Sequence, residues 1–121
     1  MRAKRTDKNQ ADIVRDLRLA GVQVLVTNFG DDFPDLLCGW RGKWTLLEIK
    51  KPDGDITRGQ LEFARDAKGN IGIATTTDEA CNVLFGNTLT SSQQTKIATW
   101  LIKNPDQQSL SVKKLRKLVN A

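Results

Sequence analysis

Between Val22 and Lys50, three β-rich runs follow one another with gaps too short for any crossover, and this limits the fold more than any other feature. Val22 to Thr27 is the first run. Asn28 to Asp32, with Gly30 and two Asp, is a turn. Pro34 opens Asp35-Leu36-Leu37-Cys38, a short strand that ends near Gly39. Arg41-Gly42-Lys43 turns the chain into a third run, Trp44 to Lys50. Strands joined this way pair as an antiparallel meander, because a parallel pair needs a connection of a dozen or more residues. Pro52 and Gly54 end the third run. Thr57 to about Ala67 then reads as a helix, closed by Lys68-Gly69-Asn70, and Ile71 to Thr75 reads as a strand. That helical crossover carries the last strand into the sheet from across it.

A helix precedes the strands. Ile13, Val14 and Leu17 form one stripe within Gln10–Ala20, and Gly21 stops it. Another follows them, from the capping sequence Thr76-Thr77-Asp78-Glu79 to Phe85, with Gly86 as its stop. The expectation is an α/β fold: a single domain over 1–121, with a small mixed sheet flanked by helices in the core. Residues 87–121 read as a helical extension of that core. Thr90 or Ser91 can cap a helix carrying Ile97, Trp100 and Leu101. Ser109 or Ser111 can cap a second, with Val112, Leu115, Leu118 and Val119 on one stripe.

Composition then narrows the chemistry. The chain has no His and no Tyr, which removes Ser-His-Asp triads, Cys-His dyads, histidine–metal nuclease motifs, Cys2His2 fingers and tyrosine nucleophiles. Cys38 and Cys81, one far-separated pair in apolar surroundings, read as reduced core residues. Carboxylate, amine, amide and hydroxyl groups remain, and hydrolysis with such groups usually uses carboxylates on a hard metal ion. No apolar run is long enough to span a membrane and none follows the basic start, so the expected compartment is the cytoplasm. Residues 1–8 carry net charge +3 and 96–121 net +5, around a middle of −3. Basic ends around an acidic centre suit a polyanion partner, or are simply solvated.

The chemistry-bearing segment is Pro34-Asp35, then Glu48-Ile49-Lys50. With period two, Trp44, Leu46, Glu48 and Lys50 share one strand face, and Thr45, Leu47 and Ile49 the other. An antiparallel neighbour starting at Asp35 brings that carboxylate beside the end where Glu48 and Lys50 emerge. Asp35 and Glu48 can then hold Mg²⁺, with the Ile49 carbonyl as a third ligand, while Lys50 orients the attacking water on a phosphodiester. The alternative is an ordinary Glu48–Lys50 or Asp35–Lys50 salt bridge at a strand end.

This set resembles the PD-(D/E)XK nuclease superfamily, whose core is also αβββαβ. The similarity extends to Lys8-Asn9-Gln10, Ile13-Val14-Arg15-Asp16-Leu17-Arg18, Gly21-Val22, Pro34-Asp35-Leu36-Leu37, Gly42, Leu46-Leu47-Glu48-Ile49-Lys50 and Gln60-Leu61-Glu62-Phe63. Together these look like the VRR-NUC and phage Holliday-junction-resolvase-like branch, over roughly residues 5–86. The resemblance implies a restriction-endonuclease-like core, a Mg²⁺-dependent DNA endonuclease in which Mn²⁺ substitutes, a branched or structured DNA substrate, and a homodimer. The different-class alternative is a catalytically weak nucleic-acid-binding module that keeps the fold.

Two glutamines and several cations complete the candidate site. Gln10 stands where the family often has Glu, and it shares the inward face of its helix; it brings no charge, which bears on whether a second metal binds. Gln60 fits the capping box Thr57-Arg58-Gly59-Gln60 and equally the family's Gln near the catalytic Lys. Asp31, Asp32, Asp53 and Asp55 read as turn and loop residues. Lys113, Lys114, Arg116 and Lys117 form a basic helix face that can hold phosphates, with Arg5 and the Arg41 turn as further DNA contacts. Trp40 and Trp44 beside that turn either pack the sheet or stack on bases.

Overall fold

The computed structural model describes residues 8–121. Its α/β architecture runs α1 (Lys8–Leu19), β1 (Gln23–Val26), β2 (Leu36–Trp40), β3 (Lys43–Ile49), β4 (Asp55–Thr57), α2 (Arg58–Asp66), β5 (Asn70–Ala74), α3 (Thr77–Leu84), α4 (Ser91–Lys103), β6 (Ser109–Ser111) and α5 (Val112–Val119). The main sheet has the order β1-β2-β3-β5. β1, β2 and β3 form the antiparallel meander that the short turns demand, and β5 joins β3 in parallel after the α2 crossover. None of the helices among the described residues is long and apolar enough to cross a membrane.

The β2–β3 turn is two residues long, with Trp40 opposite Lys43. Such a connection needs positive φ at both central positions to match the strand twist. Arg41 takes φ 49 and Gly42 φ 78. Arg41 accepts the left-handed conformation and lays its guanidinium 5.2 Å from the centroid of the Trp40 ring.

Period-two alternation in β3 divides the interior. Leu47 and Ile49 join Ile13, Leu17, Leu36 and Val83 in the core on the α1–α3 face. Leu46 packs on the opposite face with Leu61, Ile71, Ile97, Leu101 and Leu115. Each such side chain contributes about 1.5–3 kcal/mol by leaving water. Gly72 in β5 lets α3 approach: a Cβ there would overlap the Val83 side chain. Cys38 lies fully buried, and burial pushes its thiol up to about 12; both cysteines are free, and Cys81 is only partly buried at the edge of that core.

One expectation needs correction. Residues 87–121 are not an appendage. α4 and α5 form the second helical layer with α2, and β6 pairs with β4 to make a separate two-stranded sheet. Asp55, read as loop solvation, stands in β4 opposite Ser111. The pair is clasped at both ends: the Val112 amide donates to the Gly54 carbonyl at 3.0 Å, and the Arg58 amide to the Gln108 carbonyl at 2.7 Å. The apolar stripe of α5 buries Val112, Leu115 and Val119 against the chain's own core, with Leu118 partly buried beside them.

Candidate active site

Three consecutive residues at the carboxyl end of β3 are each held by a different part of the chain. Asp35, one residue before β2, accepts the Ile49 amide proton on Oδ2 at 2.8 Å. Gln60 of α2 donates through Nε2 to Glu48 Oε1 at 3.1 Å. Asn9 of α1 donates through Nδ2 to the Lys50 carbonyl at 2.9 Å and to the Thr75 carbonyl at 3.3 Å. The register sets this up, since Leu36 faces Leu47 and the Asp35 position therefore flanks Glu48. Asp35 and Glu48 are 6% and 5% exposed, so both carboxylates sit in a dry environment where opposite charge is worth far more than in water. The location is the carboxyl end of the parallel β3–β5 pair, where open α/β sheets leave a crevice for ligands.

Gln60 closes the capping box and also reaches Glu48. Its Oε1 accepts the Thr57 amide at 2.9 Å while its own amide donates to Thr57 Oγ1 at 3.2 Å, which completes the capping box. Its Nε2 is left for Glu48 and for the Asp31 carbonyl at 3.2 Å. The start of α2 therefore fixes the Glu48 carboxylate and the loop after β1 together. Lys50 is half-buried and makes no ion pair among the described residues, so the salt bridges considered for it do not form.

The other sequence candidates divide. Gln10 is buried as expected, but it lines a groove with Val14, Arg18 and Val26 between α1 and β1; its neighbour Asn9 is the α1 residue that touches the end of β3. One position turns a helical side chain by about 100°, which aims Asn9 at the end of β3 and Gln10 at the groove beside β1. Arg41 stands at the other end of the hairpin, five β3 residues or roughly 17 Å from Glu48. Lys113, Lys114 and Lys117 are exposed on α5, whereas Arg116 turns away from that ridge to pair with Glu79 at 2.7 Å. Arg5 lies outside the described residues.

Two features were missed. Asp32, read as a turn residue, rests its carboxylate on the first turn of α2, where a Cβ at Gly59 would overlap it. It lines one small cavity with Pro34, Glu48, Gln60 and Phe63. A glycine in the first turn of a helix was the available signal. The second is a network behind the site. Glu79 Oε1 accepts from the Thr75 amide at 2.7 Å, the Thr75 hydroxyl at 2.6 Å and Arg116 Nη2 at 2.7 Å. It ties β5, α3 and α5 to the same Thr75 whose carbonyl Asn9 holds.

Partial burial pushes the Glu79 carboxyl up, but Arg116 and Thr75 outweigh it and hold it down at about 2. An unfolded Glu titrates near 4.5, so the unfolded chain takes up this proton first. The contribution is complete above about pH 4.5 and is lost as pH falls toward 2. In denaturant titrations, Glu79→Gln should flatten that acid limb and cost about 1 kcal/mol at pH 7, a small value because the pair is about a third exposed. An unchanged acid limb would show that the pair does not contribute.

Compared with models of known protein families, with curated proteins and with solved structures, the chain matches none.

Proposed function

We propose that the protein is a Mg²⁺-dependent DNA endonuclease built on a restriction-endonuclease-like core, with Mn²⁺ as an alternative ion. The placing of the Asp35 and Glu48 carboxylates and of the Lys50 backbone at one strand end, each held by a different part of the chain, carries this reading. Two buried carboxylates are hard oxygen donors, and the described residues hold no cluster of three or more His, Cys, Asp or Glu of metal-binding geometry. That donor set fits an ion that keeps most of its waters, as Mg²⁺ does. Once bound, the ion would supply a water of lowered pKa and a counter-charge for the scissile phosphate.

The chain's own residues do the rest. Asp35, anchored by the Ile49 amide, and Glu48, anchored by Gln60, would hold the ion. The Lys50 ammonium, which makes no ion pair among the described residues, would steady the attacking water and the charge that builds on the phosphate oxygens. The exposed Lys113, Lys114 and Lys117 would add contacts to the DNA backbone.

The test is cleavage of linear, nicked, flap and four-way DNA with Mg²⁺, Mn²⁺ or EDTA. Metal-dependent cutting is expected. Tight DNA binding without cutting under every metal would instead favour a binding module that keeps the fold, a reading to which the uncharged Gln10 lends weight.

Gln60→Ala separates two of its contributions in one variant. Loss of the cap should cost about 0.5–2 kcal/mol of stability. Release of Glu48 should also lower turnover per folded molecule and weaken metal binding in calorimetry. Lower melting with unchanged turnover would leave the cap as its only role.

A further inference from the structure

A row of phenylalanines runs from the cavity beside Glu48 to the surface. Phe63 lines that cavity with Glu48 and Gln60. Phe33 packs edge-on against Phe63 at 5.2 Å between centroids, and Phe29 edge-on against Phe33 at 5.0 Å. Phe29, at the outer end, is 70% exposed. Its loop is held from three sides. The Thr27 amide donates to the Asp35 carbonyl at 2.9 Å, the Thr27 hydroxyl donates to the Pro34 carbonyl, and Gln60 Nε2 holds the Asp31 carbonyl. A large apolar ring is thus kept in water on a braced loop, six residues before Asp35. The tryptophans do not do this: Trp44, half-exposed, lies near the hairpin turn at the far end of β3, Trp40 packs against the α1–α3 core and Trp100 against the second core.

Resting on the nuclease reading, we infer that Phe29 is a stacking platform for an unpaired or unstacked nucleobase next to the scissile phosphate. In continuous duplex both faces of each base are covered by neighbours, so the ring has nothing to stack on. At a flap, nick or branch a base face is open, and stacking on an aromatic side chain tolerates any sequence. The ring therefore selects DNA structure rather than sequence. Phe33 and Phe63 set its distance from the cavity that Glu48 lines.

The experiment measures binding in EDTA, so that no cutting is needed. Two duplexes of one sequence are compared, one linear and one with a single-stranded flap carrying 2-aminopurine at the branch. Wild type should prefer the flap and change the probe's fluorescence. Phe29→Ala should reduce the flap-to-linear affinity ratio by about tenfold or more, and Phe29→Trp should restore it. An unchanged ratio in Phe29→Ala, or equal loss on both DNAs, overturns the inference. So does a dimer that Phe29→Ala converts to monomer in sedimentation, because the ring would then be a contact between copies. If the flap preference and its loss are seen but no metal supports cutting, Phe29 stacks on an open base but beside no scissile phosphate, and the nuclease reading fails. If metal-dependent cutting is seen without a Phe29-dependent preference, the inference fails and the nuclease reading stands.

Discussion

Asp35→Asn and Glu48→Gln should each remove at least about 10²–10³ of the cleavage rate, as large as the loss of a dedicated transition-state stabiliser, while melting stays close to wild type. Each substitution keeps an amide oxygen where the carboxylate accepts a hydrogen bond, from the Ile49 amide in one case and from Gln60 in the other. Those two hydrogen bonds are kept and the negative charge goes. Asp35→Ala is a different experiment. It orphans the buried Ile49 amide and should cost about 1–3 kcal/mol of stability as well. Calorimetric Mg²⁺ binding should disappear in both amide variants. If either binds Mg²⁺ and cuts at the wild-type rate, the two carboxylates are structural and the metal site lies elsewhere.

Removing residues 109–121 should abolish folding, not trim an accessory. The deletion takes away Leu110, Val112, Leu115 and Val119, all 8% exposed or less, and the only strand that pairs with β4 among the described residues. Single Leu→Ala changes in such positions cost about 2–5 kcal/mol, and a small domain has about 5–15 kcal/mol in total. Loss of four buried side chains, together with the β4 pairing, is therefore as large as the whole margin. The truncated chain should show no cooperative melting transition by circular dichroism. A cooperative transition near the wild-type temperature would mean that the α1–α3 core stands without its second layer.

Local patterns were legible wherever a few neighbouring residues carried them. The alternation from Trp44 to Lys50 assigned Leu46 and Glu48 to one face and Leu47 and Ile49 to the other, and the two cores divide along that line. Thr57 and Gln60 announced their own cap. Convergence of Asp35 on the end of β3 followed from the short turns alone. What stayed hidden was non-local or only three residues long. Ser109-Leu110-Ser111 has one apolar residue between two polar ones, too little to read as a strand, and its partner Ile56 lies far back in the chain. Arg116 looked like its lysine neighbours until Glu79, 37 residues away, was placed beside it. Phe29 sat in a stretch of turn residues whose glycine and aspartates said nothing about the aromatic row on which it stands.

The pairing of Ile56 with Leu110 also puts a clock on the molecule. A ribosome adds about 5–20 residues per second, so roughly 3–11 seconds separate the synthesis of these two partners. For most of that interval the Leu46 face of the sheet has α2 at most, and until its end it has no α5 to cover it. A newborn chain thus shows the cell an apolar surface next to its two carboxylates, and it depends on prompt completion or on a chaperone's cover to stay out of aggregates. A half-made copy also lacks the layer that braces α2, and with it the Gln60 contact to Glu48, so under the proposed function any cutting would come only with the last helix.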